Sequence, residues 1–97
     1  MEILIAKTTK AATKEIDGYT TNINSIFPYV LGAVGTLGAG EEIKIEFSDG
    51  EGGWQTAKID GAEVKLDLNT NITTVYGPMI FRVNKPVTVA EVSVIGG

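Results

Sequence analysis

The chain has 97 residues, with 8 lysines and arginines against 12 aspartates and glutamates, a net charge of −4, and neither cysteine nor histidine. That composition excludes disulfides and thiolate sites, removes the commonest metal ligand and general base, and lacks the basic stripe that nucleic acid requires. One domain of this size buries only about 60% of the surface its unfolded chain exposes, so oligomerisation is the support left to it.

Met1 to Lys7 has an acidic second residue and only a short apolar run, so no signal peptide is expected. Glu2 to Ala6 reads as a first strand that lacks a partner within the chain. From Thr8 to Ile16, repeated threonines resist a helix because β-branching restricts χ1, which predicts a loop and then a strand near Thr13 to Ile16. Asp17-Gly18 is a turn signal, and Tyr19 to Asn24 mixes strand formers with turn formers. Ile26 to Val34 is the most hydrophobic run. Pro28, which cannot donate a ladder hydrogen bond, belongs at a strand start, an edge or a bulge. Gly32, Gly35, Gly38 and Gly40 then loosen the chain, and the apolar stretch from Ile26 to Ala39 is too short and too broken to span a bilayer. A soluble protein made in a cytoplasm is the expectation.

The second half alternates more cleanly. Ile43, Ile45 and Phe47 fall on one side of Glu41 to Phe47, and successive strand side chains point to opposite faces. Further strands are predicted at Trp54 to Ile59, Glu63 to Leu68, Thr73 to Tyr76, Met79 to Val83 and Val87 to Ile95. Turn signals at Ser48 to Gly53, Asp60-Gly61, Gly77-Pro78 and Asn84 to Pro86 separate them. Ala90-Glu91 shifts the phase of the last strand, as a bulge would, and Gly96-Gly97 reads as a free end. Met1 and that Gly-Gly end favour a complete small protein. The fold class expected is all-β: a single antiparallel sandwich, jelly-roll or immunoglobulin-like, of about seven or eight short strands. Residues 1–97 form one domain. Residues 1–40 supply a contact arm and the first strands, and 41–97 supply the most regular strands.

Catalytic chemistry finds little footing. Asp49, Glu51 and Asp60, or Asp67, Asn69 and Asn71, offer oxygen ligands for Ca²⁺, but turns favour these residues for backbone reasons. Ser25, Ser48 and Ser93 have no histidine partner, which excludes a hydrolase triad. The acidic residues read as a solvated shell rather than a glycosidase pair. The Gly32 to Gly38 glycine pattern lacks the helix that a dinucleotide site needs. Trp54 is a core or rim residue, an intermolecular contact or a sugar-stacking platform. Arg82, the only arginine, is an interface anchor or part of an ion pair within the sheet. No enzyme activity, cofactor or metal is expected.

From Gly38 onward the order of features resembles the small β-sandwich proteins of tailed-phage virions, the capsid decoration (cement) proteins among them. The residues that carry the likeness are Ile43, Ile45 and Phe47, the turn Ser48 to Gly53, Trp54, then Gly77-Pro78, Phe81-Arg82-Val83 and the closing Val87 to Ile95. The likeness implies a virion structural protein on the capsid surface, made in the host cytoplasm. It would self-associate as a trimer or dimer and clamp neighbouring major capsid protein subunits, with no role for nucleic acid or membrane. A carbohydrate-binding module and a tail or fibre domain are the alternatives. The contact residues expected are Ile3, Leu4 and Ile5 on the first strand, Leu31, Val34 and Leu37 on the glycine-rich arm, and Trp54 and Arg82.

Overall fold

The computed structural model describes residues 1–18, 26–77 and 79–97, so the segment Tyr19 to Asn24 and Pro78 of the expected Gly77-Pro78 turn lie outside the described residues. The described chain is all-β, with eleven strands: β1 (Glu2–Thr8), β2 (Ala12–Asp17), β3 (Tyr29–Val34), β4 (Ile43–Ser48), β5 (Trp54–Thr56), β6 (Lys58–Ile59), β7 (Ala62–Glu63), β8 (Lys65–Leu66), β9 (Ile72–Val75), β10 (Ile80–Lys85) and β11 (Val92–Gly96). Two antiparallel sheets share one core, in a sandwich-like arrangement. The first has the order β1-β11-β3-β9. The second has the order β2-β10-β4-β5, with β8 also on β4, and β6 and β7 form a separate small hairpin.

Alternation produces the core. In β4, Ile43 and Ile45 are fully buried, while the alternate residues Lys44 and Glu46 point outward and stay partly exposed. Phe81 and Val83 of β10 lie opposite Phe47 and Ile45, which builds the inner face of the second sheet. Leu31, Val75, Val92 and Val94 supply the inner face of the first. The faces meet at Phe81, whose ring packs edge-on against Tyr29 of β3 with centroids 5.5 Å apart and tilted against Phe27 at 6.0 Å. Such aromatic pairs add to the burial of a large apolar surface.

Several sequence expectations need correction. Trp54 to Ile59 and Glu63 to Leu68 are each two short strands rather than one. Ala57 and Val64 turn inward, with Ala57 N–H donating to Ile45 O (2.8 Å) and Val64 N–H to Ala57 O (2.8 Å). The hairpin between them closes on Asp60-Gly61, both at positive φ (54° and 82°), the backbone twist a two-residue hairpin turn needs. The first strand is not unpaired, because β1 runs beside β11 from Glu2↔Gly96 to Thr8↔Val92. Nor is Gly96-Gly97 a free end. Gly96 pairs with both Glu2 and Leu31, and Gly97 N–H donates to Val30 O at 3.0 Å. A side chain at Gly96 would strike the Tyr29 ring at 2.6 Å, which explains the glycine. The last strand is only Val92–Gly96, since residues 86–91 form a loop whose backbone groups find partners outside any ladder.

Truncating the ring at the meeting point of the sheets is expected to cost the most. Phe81→Ala should lower the unfolding free energy by about 3–5 kcal/mol in urea titration, because the cavity cannot fully collapse.

Candidate interaction surface

Residues opposite one another on neighbouring strands share a face, so the register of the first sheet defines its outer surface. One row crosses all four strands: Ile3 opposite Ile95, Ile95 opposite Gly32, and Gly32 opposite Ile72. Ile3 is 70% exposed and Ile72 62%. Flanking rows place Val34 opposite Ser93, and Val30 opposite Thr74. None of these residues is charged, the exposed Lys7 standing at the end of the Val34 row in the β1 bulge opposite Ser93, and Gly32 leaves the centre low between Ile95 and Ile72. The strand pleat thus exposes an apolar sheet face, the kind of patch that marks a contact site.

The sheet edges are blunted, so the face is the better contact. Register shifts between Ile3 and Ile5, and again between Ile5 and Thr8, bulge the edge strand β1. On the edge strand β2 of the second sheet, the exposed Lys14 lies opposite the fully buried Val83, which directs a charge to the inward side. The remaining edges, β9 and β5, are only four and three residues long. Bulges, inward charges and short strands are the standard defences against edge-to-edge pairing.

The expected contact residues divide among these places. Ile3 and Val34 stand on the apolar face. Leu4 sits at the first bulge and is half-buried against the core. Ile5, Leu31 and Leu37 are buried, at 5%, 0% and 3% exposure, and are held by the core rather than offered to a partner. The glycine-rich stretch is not a contact arm at its start, because β3 is a central strand between β11 and β9. Ile72 and Ile95 complete the face, and neither is among the contact residues the sequence predicts. Their signal was register: each lies opposite Gly32.

Trp54 and Arg82 lie on the outer face of the second sheet, which is polar. Arg82 Nε donates to Glu46 Oε1 at 2.7 Å, and Asn84 Nδ2 reaches the same oxygen at 3.3 Å. The Arg82 guanidinium carbon sits 4.6 Å from the centroid of the Trp54 ring. Arginine thus joins an ion pair within the sheet to a cation–π contact, and one face of the indole is already covered. Beyond Asn84, Lys65 pairs with Glu42, a hydrogen bond that holds its ammonium above the ordinary lysine range.

A polar clamp closes the end of the sandwich where β10 finishes. Phe81, Val83 and Lys85 share the inward side of β10, and Lys85 has no exposed surface. Its ammonium donates to Lys10 O (2.9 Å), Pro86 O (3.0 Å) and Thr88 Oγ1 (3.1 Å). Burial pushes its pKa down, against the pull of Glu41. Thr88 in turn donates to Ala90 O (2.8 Å), and its N–H donates to Thr9 O (2.9 Å). Glu41 accepts from Gly38 N–H (2.7 Å) and Val89 N–H (2.9 Å), and these bonds hold its carboxyl below the ordinary glutamate value. The loop 86–91 is therefore braced from inside by polar groups, and it turns Val87 and Val89 outward at 70% and 92% exposure. Inward alternation along β10 was the signal for Lys85, which the sequence reading had placed in a tight link.

The acidic turns serve the backbone. Asp49 Oδ1 accepts from Glu51 N–H and Gly53 N–H, and Asp67 Oδ1 accepts from Asn69 N–H and Thr70 N–H. Among the described residues no group of three or more His, Cys, Asp or Glu side chains could hold a metal ion. A shallow polar cleft of about 350 Å³ borders the Asp67 turn, with Thr36, Leu37, Asn69 and Asn71 among its lining. No family model, no curated relative and no solved structure matches the chain.

The Glu41 bonds carry a sign. A carboxyl held below its unfolded value adds stability that is complete above that value and lost as pH falls through the lowered one. Wild-type unfolding free energy should therefore fall as the medium is acidified below the ordinary glutamate pKa. Glu41→Gln should be less stable near neutrality and show a flatter acid limb, as read by urea denaturation at a series of pH values.

Proposed function

We propose that this chain is a non-enzymatic structural protein of a tailed-phage virion, of capsid-decoration type. In this reading it is made in the host cytoplasm, and the outer face of its first sheet seats on the major capsid protein at the capsid surface. The observation that carries the reading is the charge-free apolar row Ile3–Ile95–Gly32–Ile72 on a sheet whose edges resist pairing. A face of this kind can be covered by a partner without stranding a charge, whereas a buried unpaired charge costs several kilocalories per mole. The residue pattern from Ile43 to Ile95 supports the virion context by its likeness to decoration proteins. The small core supports a need for partners.

Ile72 is exposed in the free chain, so Ile72→Lys should leave the fold and its melting temperature nearly unchanged. On a panel of expanded, undecorated tailed-phage heads, wild type is expected to co-sediment. Ile72→Lys should bind about tenfold more weakly or worse, since burying an isoleucine side chain contributes about 1.5–3 kcal/mol. A wild-type chain that binds no head in the panel, or a variant that binds as well as wild type, would count against the proposal.

A further inference from the structure

We propose that copies of this chain also join head to tail, with Val89 of one copy seated in a small apolar cleft beside Tyr76 of the next. The braced loop 86–91 reverses the usual sorting of side chains. Lysine and threonine are inside, and Val87 and Val89 are in water. A single exposed valine needs no explanation. This loop is different because Lys85, Thr88 and Glu41 fix its backbone in the conformation that presents both valines, so docking it orders little that is not already ordered.

The receiving cleft has a volume of about 80 Å³ and a floor of Ala57, Val64 and Val75, all core residues at 6% exposure or less. Its rim includes Ile59 and Tyr76, 43% and 60% exposed, together with Met79 and Lys58. The volume is that of roughly three waters, on the scale of a valine side chain. Val89 is followed closely by Glu91, and the cleft rim carries Lys58. Neither charge has an ion-pair partner among the described residues, so the two patches are complementary in sign.

Loop and cleft cannot meet within one molecule. Met79, at the cleft, stands just before β10, and Lys85, at the loop, ends it, so the two lie about 20 Å apart along that strand. The contact joins two different patches. Repeated from copy to copy it makes a ring where the rotation closes and an open filament where it does not, and reciprocal gifts make a two-fold pair. It uses neither Ile72 nor the rest of the apolar sheet face, so it stands or falls apart from the seat on the capsid.

The test is sedimentation of the full-length chain over a concentration series. Wild type should self-associate as concentration rises. Val89→Asp and Val89→Thr, at a site that touches no core residue, should keep the wild-type melting temperature. They should raise the dissociation constant about tenfold or more, the share of one buried valine side chain. Lys58→Glu and Glu91→Lys should each weaken association severalfold, and the double variant should recover it. Ile72→Lys should associate as wild type does. A wild type that stays monomeric to millimolar concentration overturns the proposal, as does a Val89→Asp chain that associates normally or a double variant that fails to recover. Association lost in Ile72→Lys but kept in Val89→Asp overturns it in favour of face-to-face pairing.

Discussion

The ammonium of Lys85 holds one end of this sandwich together. A charge taken out of water is tolerated only when every donor finds an acceptor. Here the acceptors come from three parts of the chain: the β1–β2 connection, the peptide after β10, and the hydroxyl of Thr88. Lys85 thereby ties the end of the second sheet to the segment that leads into β11 of the first. Glu41 holds the Gly38 and Val89 amides beside it. Residues 86–91 thus make a braced loop rather than the continuation of a strand.

The rest of the surface follows from how the two sheets divide their faces. Both inner faces are used by a single core centred on Phe81, and each sheet has one outer face to offer. The second sheet fills its own with ions: Arg82 with Glu46, and Lys65 with Glu42, with Trp54 laid under the guanidinium. Those groups satisfy one another and stay partly in water. The first sheet leaves Ile3, Val34 and Ile72 bare and charge-free. The asymmetry gives the molecule one polar outer face and one apolar outer face, the latter the seat proposed for a partner.

Much of this was legible from residue order. The β4 alternation, the Asp60-Gly61 hairpin turn and the all-β class follow from period-two patterning and turn chemistry. What escaped was non-local. Val87 and Val89 alternate as a strand does up to the phase shift at Ala90-Glu91, and only the tertiary position of Lys85 and Thr88 turns them outward. Ile5 and Ile3 are separated by a bulge that no local signal in Ile3-Leu4-Ile5 announces, so one is core and the other is surface. Glycines around Leu31 and Leu37 suggest a loose arm, yet both side chains are core, and at Gly35 a Cβ would meet Glu91 O at 2.5 Å as the chain passes close to the start of β11. The contact face itself could not be read from any one segment, because its central row takes one residue from each of four strands distant in sequence.

The most direct measurement is side-chain footprinting by carbene labelling, with the chain free and then seated on an expanded phage head. Ile3, Val34 and Ile72 should lose label together on binding, while the Trp54–Arg82 side keeps its own. Equal labelling of the apolar face in both states, or protection confined to the Trp54–Arg82 side, would contradict that seating.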